Sequence, residues 1–103
     1  MDNVELVKRF LKAQNLEQVG RIEDALGLYE SIVEARFDSS GPYDRLIALY
    51  GHHARHRDVM RIAEAALAYV QTYDDKRAFY ERTRVEALKA IGRLPQAEPR
   101  KPR

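Results

Sequence analysis

Apolar residues recur at three- and four-residue spacing along almost the whole chain, and no segment alternates with period two. Glycines and prolines fall at separated points and divide the chain into five stretches with helical periodicity. The first spans about residues 3–18, with Asp2 or Asn3 as its cap and Val19-Gly20 as its end. Leu6, Val7, Phe10, Ala13 and Leu16 form its apolar side, and Glu5, Lys8, Arg9 and Lys12 its solvated side. The second covers about 22–36 with the stripe Ile22, Ala25, Leu26, Tyr29, Ile32 and Val33, and ends in the loop Asp38-Ser39-Ser40-Gly41. The third starts near Pro42, a residue suited to a first helical turn, with Ser39 or Ser40 as cap. Leu46, Ile47, Leu49 and Tyr50 carry its apolar side, and it frays from Gly51 to Arg55. The fourth spans about 57–72, with Val59, Met60, Ile62, Ala63, Ala66, Leu67 and Val70 inward. Thr72, Asp74 and Asp75 offer caps for a fifth helix over about 75–91, which places Ala78, Val85, Leu88 and Ile91 on one stripe before Gly92. The connections are short, so consecutive helices are expected to pack antiparallel in an all-α fold.

Two of these helix pairs repeat. Gly20-Arg21-Ile22-Glu23-Asp24-Ala25 aligns with Ala54-Arg55-His56-Arg57-Asp58-Val59, 34 residues on. At that offset Leu26 falls on Met60, Leu28 on Ile62, Glu30 on Glu64 and Val33 on Leu67, while upstream Ala13 falls on Ile47 and Leu16 on Tyr50. A third copy begins: Lys12 to Arg21 is similar to Arg84 to Arg93, and Gly92 lies 38 residues beyond Ala54, about one extra helical turn.

A 34-residue helix–turn–helix period resembles the tetratricopeptide repeat family. Tyr43, Leu46, Ile47 and Tyr50 look like the first-helix aromatic, Leu, Gly and Tyr positions of that family. Gly20 looks like its turn glycine, and Ala25, Tyr29 and Ile32 like the small, aromatic and small positions of the second helix. Arg9, Lys12, His56 and Ala63 depart from the bulky residues usual at their positions, and Phe10 substitutes from one residue away. The resemblance implies a single helical domain over residues 1–92, a short α-solenoid. Its repeats lie at about 6–39 and 40–73, and a helix over about 75–91 caps the open end.

The resemblance also implies a function. The family holds a peptide or helix of a protein partner on the concave face lined by the first helix of each repeat. Matching positions here are Phe10, Gln14 and Glu17, then Asp44, Ala48, Gly51 and His52, and from the third copy Phe79, Arg82, Glu86 and Lys89. This mixture of charge, amide and aromatic suits a polar peptide with one apolar anchor. Burial in the core is the expected role of Phe10. The Lys and Asn clamp that one branch of the family uses for a C-terminal carboxylate is replaced by Phe10 and Gln14, so binding of chaperone tails is not expected.

Charge locates a second, weaker possibility. Lys and Arg total 18 against 16 Asp and Glu, a net of +2. Arg93, Arg100, Lys101 and Arg103 against Glu98 give the end of the chain +3, leaving −1 for residues 1–92. With Pro95, Pro99 and Pro102 this end reads as a disordered basic tail. A few tail charges on a dimeric helical body would give weak, salt-sensitive nucleic-acid association. No aromatic residue is interleaved in the tail for base stacking, which places that reading second.

Catalysis and metal binding find little footing. The chain has no cysteine, which excludes thiolate ligands, thiol nucleophiles and disulfides. Its five glycines are isolated, and none of its three serines sits in a Gly-x-Ser-x-Gly turn. His52 and His56 are four apart, but a helix–helix turn is predicted between them and no third ligand is spaced nearby. Asp74-Asp75 reads as a cap, and Tyr69, Tyr73, Phe79 and Tyr80 as packing between the fourth and fifth helices, with a partner anchor as the alternative. No cofactor is expected. No apolar run approaches the ~18 residues of a membrane span. Met1-Asp2-Asn3-Val4-Glu5 lacks the order of a secretory signal, so a cytoplasmic, non-enzymatic protein is the expectation.

Overall fold

The structure is a computed structural model and describes residues 3–71 and 75–93. Five α-helices follow one another: α1 (Asn3–Gln18), α2 (Ile22–Glu34), α3 (Gly41–His52), α4 (His56–Tyr69) and α5 (Asp75–Arg93). No strand occurs among the described residues. The main packing runs α1 on α2, α2 on α3, α3 on α4 and α4 on α5, so each helix rests chiefly on its neighbours in sequence. The expected caps Asp2, Thr72 and Asp74, the cap side chain of Asp75, Tyr73 of the aromatic cluster, and the tail from residue 94 lie outside what is described.

The 34-residue period is visible in the backbone of the turns. Gly20 N–H bonds Glu17 O at 3.1 Å, and Ala54 N–H bonds Gly51 O at 3.1 Å. Arg21 N–H bonds Leu16 O and Arg55 N–H bonds Tyr50 O, both at 2.9 Å. The residues before α2 and α4 share one conformation, Arg21 at φ −87, ψ 69 and Arg55 at φ −86, ψ 72. Both turns therefore close their helix with a left-handed residue, Gly20 at φ 87 and Ala54 at φ 57. Glycine adopts that region freely, whereas alanine is strained there.

The core follows the stripes of the middle helices. Ala25, Tyr29, Tyr43, Leu46, Ile62 and Ala66 are buried in one cluster. A smaller one joins Leu6, Ile32 and Phe37, with Phe10 packed against it. Half-buried Phe10 lies edge-tilted to Tyr29, ring centres 5.9 Å apart, and its ring fills the space where Gly41 has no side chain. A Cβ at Gly41 would stand 2.8 Å from Phe10 Cζ, so a side chain there would have to push the Phe10 ring aside. No charged side chain is fully buried among the described residues.

Some local expectations are corrected. Helix α2 stops at Glu34 because Arg36 turns left-handed at φ 62, and α4 stops at Tyr69 because Val70 is extended. Asn3 is helical, and Ser40 stands before α3 without a side-chain cap bond. Val7 faces solvent. Helix α5 runs through Gly92 to Arg93, and it is rotated from the expected face. Tyr80 and Ala87 are buried, whereas Ala78 is exposed and Val85 and Leu88 are 40% and 53% exposed. Tyr80 turns inward instead, its ring buried and its hydroxyl donating to Asp44 of α3 at 2.8 Å, which fixes the rotation.

Candidate functional site

Three carboxylates hold the stack together, each taking a tyrosine hydroxyl and a cation from other positions. Glu17 on α1 accepts the Tyr29 hydroxyl at 2.8 Å and is ion-paired with Arg45 of α3. Glu30 on α2 accepts the Tyr50 hydroxyl, and Arg61 of α4 binds both its oxygens at 2.8 and 3.1 Å. Arg61 also reaches Asp58 at 2.8 Å. Asp44 on α3 accepts the Tyr80 hydroxyl at 2.8 Å and Lys76 Nζ at 2.7 Å, both from α5. Each group bridges helices that are not neighbours in sequence: α1 to α3, α2 to α4, and α3 to α5.

Their electrostatics follow from these contacts. The hydrogen bond from Arg45 holds Glu17 below the usual carboxylate range, against the opposing effect of burial. Burial raises Glu30, but the bonds from Arg61 and Tyr50 outweigh it and its pKa is lowered. Asp58 is lowered chiefly by Arg61. Burial, with the facing Glu30 carboxylate, pushes Tyr50 up to about 12. The same causes raise Tyr29 and Tyr80 further.

One open groove, of about 420 Å³, lies where the end of α3, the start of α4 and α5 converge. Val59, Phe79 and Ala87 form its apolar floor, and His56, Arg82 and Glu86 its polar rim. Phe79 is half-buried and lies under Lys76, whose Nζ is 4.7 Å from the ring centre. A second recess, at the other end of the face, is lined by Gln14, Glu17, Gln18 and Arg45.

The structure distributes the residues expected on the concave face among distinct settings. Phe79, Arg82 and Glu86 come together in the groove, and Gly51 borders it. Gln14 and Glu17 share the second recess, where Glu17 is engaged by Arg45 and Tyr29. Asp44 is engaged by Lys76 and Tyr80. Ala48 and Lys89 are exposed on α3 and α5, outside both recesses. His52 is exposed with its ring edge-on to His53 at 5.3 Å. His52 ends α3 and His56 begins α4, so the two imidazoles do not share a helix face. Sequence reasoning missed Arg45, His56, Val59 and Thr83 as surface-forming residues. The available signal for Arg45 was its charge, opposite to Glu17 on the preceding first helix.

Comparison with known protein families, with curated proteins and with solved structures yields no match.

Proposed function

We propose that this chain is a non-catalytic interaction module of tetratricopeptide-like construction that holds a segment of a protein partner on the face carrying the α3–α4–α5 groove. The observation that carries this reading is the groove itself. An apolar floor of Val59, Phe79 and Ala87 is bordered by one carboxylate and by Arg82 and His56. Such a surface takes one apolar side chain while the rim bonds the flanking backbone and charges. The reproduced turn geometry 34 residues apart supports the family resemblance behind it. A short stack of this kind would act as a scaffold or adaptor, most plainly in the cytoplasm of a cell.

The test is capture of partners from native lysate by the intact chain, by residues 1–93, and by the Phe79→Ala and Arg82→Glu variants, each with and without nuclease. Circular dichroism of each variant checks folding. Discrete proteins that survive nuclease and tail removal, and that both groove variants lose, are the expected result. Retention that vanishes with nuclease or with the tail would replace this reading by nucleic-acid association. Capture indifferent to both groove variants would remove the groove as the binding element.

A further inference from the structure

A different surface, the outward face of α5, has an occupant that can be named by its chemistry. Aligning Lys12–Arg21 with Arg84–Arg93 places Leu6, Ala13 and Leu16 of α1 over Ala78, Val85 and Leu88 of α5. On α1 that stripe is the inward one: Leu6 and Ala13 are buried, Leu16 is half-buried, and α1 packs on α2. On α5 the same stripe is exposed, because α5 meets α4 through Tyr80 and Ala87 instead. Helix α5 thus presents to solvent the positions with which α1 grips a second helix. Among the described residues no helix covers this stripe.

Charge selects among outside occupants. Six basic residues of α5 (Lys76, Arg77, Arg82, Arg84, Lys89, Arg93) against Asp75, Glu81 and Glu86 give it +3. Helix α2, which fills the equivalent place on α1, holds Glu23, Asp24, Glu30 and Glu34 and no base, a net of −4. A second copy apposing its own α5 would bring +3 against +3. Apposing α1, with Lys8, Arg9 and Lys12 against Glu5 and Glu17, would bring +1. We infer that the exposed stripe Ala78, Val85 and Leu88, bordered by Arg82, Lys89 and Glu86 and by a Glu81 already paired with Arg77, docks an acidic amphipathic helix of a partner protein, which takes on α5 the place α2 takes on α1.

The probe is a stapled helical peptide with the sequence of residues 22–34, fluorescently labelled and titrated with the full chain at low salt. Controls are a shuffled peptide of the same composition and the chain variants Leu88→Asp and Lys89→Glu. Both substituted positions are exposed, so thermal midpoints should stay within a few degrees of the parent. Expected are saturable binding, a loss of about tenfold or more in Leu88→Asp, a smaller loss in Lys89→Glu, and weakening with salt. Equal binding of the shuffled peptide, or a titration that Leu88→Asp leaves unchanged, overturns the proposal. So does sedimentation of the chain alone if it reveals a dimer that Leu88→Asp dissolves, because a second copy would then be the occupant. The groove reading fails or stands separately through Phe79→Ala, because Phe79 lines the groove and not the stripe, whereas Arg82 borders both surfaces; Phe79→Ala should leave binding of this peptide unchanged.

Discussion

At the residue scale the informative positions are those where backbone conformation and side chain disagree. Ala54 repeats the left-handed turn that Gly20 makes without strain. Alanine in that region costs about 1–2 kcal/mol, partly offset by the extra freedom glycine has in the unfolded chain. Ala54→Gly is therefore expected to stabilise the protein by about 0.5–1 kcal/mol, read as a raised midpoint in urea with an unchanged slope. A lowered midpoint would mean that the alanine methyl contributes packing that outweighs the strain. Gly41 makes the opposite prediction. A methyl there meets the Phe10 ring at 2.8 Å, and that half-buried ring is held between Tyr29 and the Leu6–Ile32–Phe37 cluster. Gly41→Ala is expected to cost about 1–3 kcal/mol, as overpacking does. In the Phe10→Leu background the same change should cost clearly less, because the shorter side chain vacates the contact. A double-mutant cycle measures this coupling, and strict additivity would place the strain elsewhere.

At the element scale the helices were legible in the sequence and the orientation of α5 was not. The end of α1 and the starts of α2, α3 and α4 follow from Gly20, the Asp38–Gly41 loop, Pro42 and the break after Gly51, all local signals. Helices α2 and α4 end short of the expected 36 and 72, before left-handed Arg36 and at extended Val70. The inward faces of α2 and α4 were readable because their apolar residues fall on one stripe. Helix α5 has apolar residues on two sides, and a count of them favours Ala78, Val85 and Leu88. Its orientation depends instead on Tyr80, whose ring is buried and whose hydroxyl reaches Asp44 on α3, 36 residues earlier. Such a pairing between distant carboxylate and tyrosine leaves no periodicity to read. For the same reason Glu17 and Asp44 looked like free groove residues, whereas their oxygens bind Tyr29, Arg45, Lys76 and Tyr80. Tyr80→Phe tests this account. It keeps the buried ring and removes one hydrogen bond to a charged group, for an expected loss of about 1.5–3 kcal/mol in urea unfolding. Because α5 packs chiefly on α4 alone, hydrogen exchange should quicken first in α5. Uniform acceleration across all five helices would show that this end of the stack does not open on its own.

At the scale of the whole molecule, carboxylates lowered and tyrosines raised by folding make stability depend on pH from both sides. Glu17, Glu30 and Asp58 have pKa values lowered by folding, so in acid the unfolded chain binds more protons than the folded one. Their contribution is full above the ordinary carboxylate range of about 4 and is lost as pH falls through the lowered values. The tyrosines act with the opposite sign. Tyr43 and Tyr50 are pushed up to about 12, chiefly by burial, and Tyr29 and Tyr80 are raised further. The unfolded chain releases these protons from about pH 10, whereas the folded chain retains them. For Tyr43 and Tyr50 the stabilisation is therefore full below about 10 and is lost as pH rises through about 12, and for Tyr29 and Tyr80 the loss continues above that. A thermal midpoint followed across pH should fall on both limbs, and these groups add no step between about 5 and 9. The limbs can be assigned separately. Glu17→Gln is expected to flatten the acid limb and leave the alkaline slope nearly intact, because Tyr50 and Tyr80 still face their own carboxylates. Tyr43→Phe should flatten only the alkaline limb, because its hydroxyl donates to the Phe37 carbonyl and to none of the lowered carboxylates, whereas Tyr50→Phe should also weaken the acid limb through Glu30. If Glu17→Gln lowered the midpoint equally from about pH 3 to about pH 9, the Arg45 contact would be acting through packing rather than through the charge of the carboxylate.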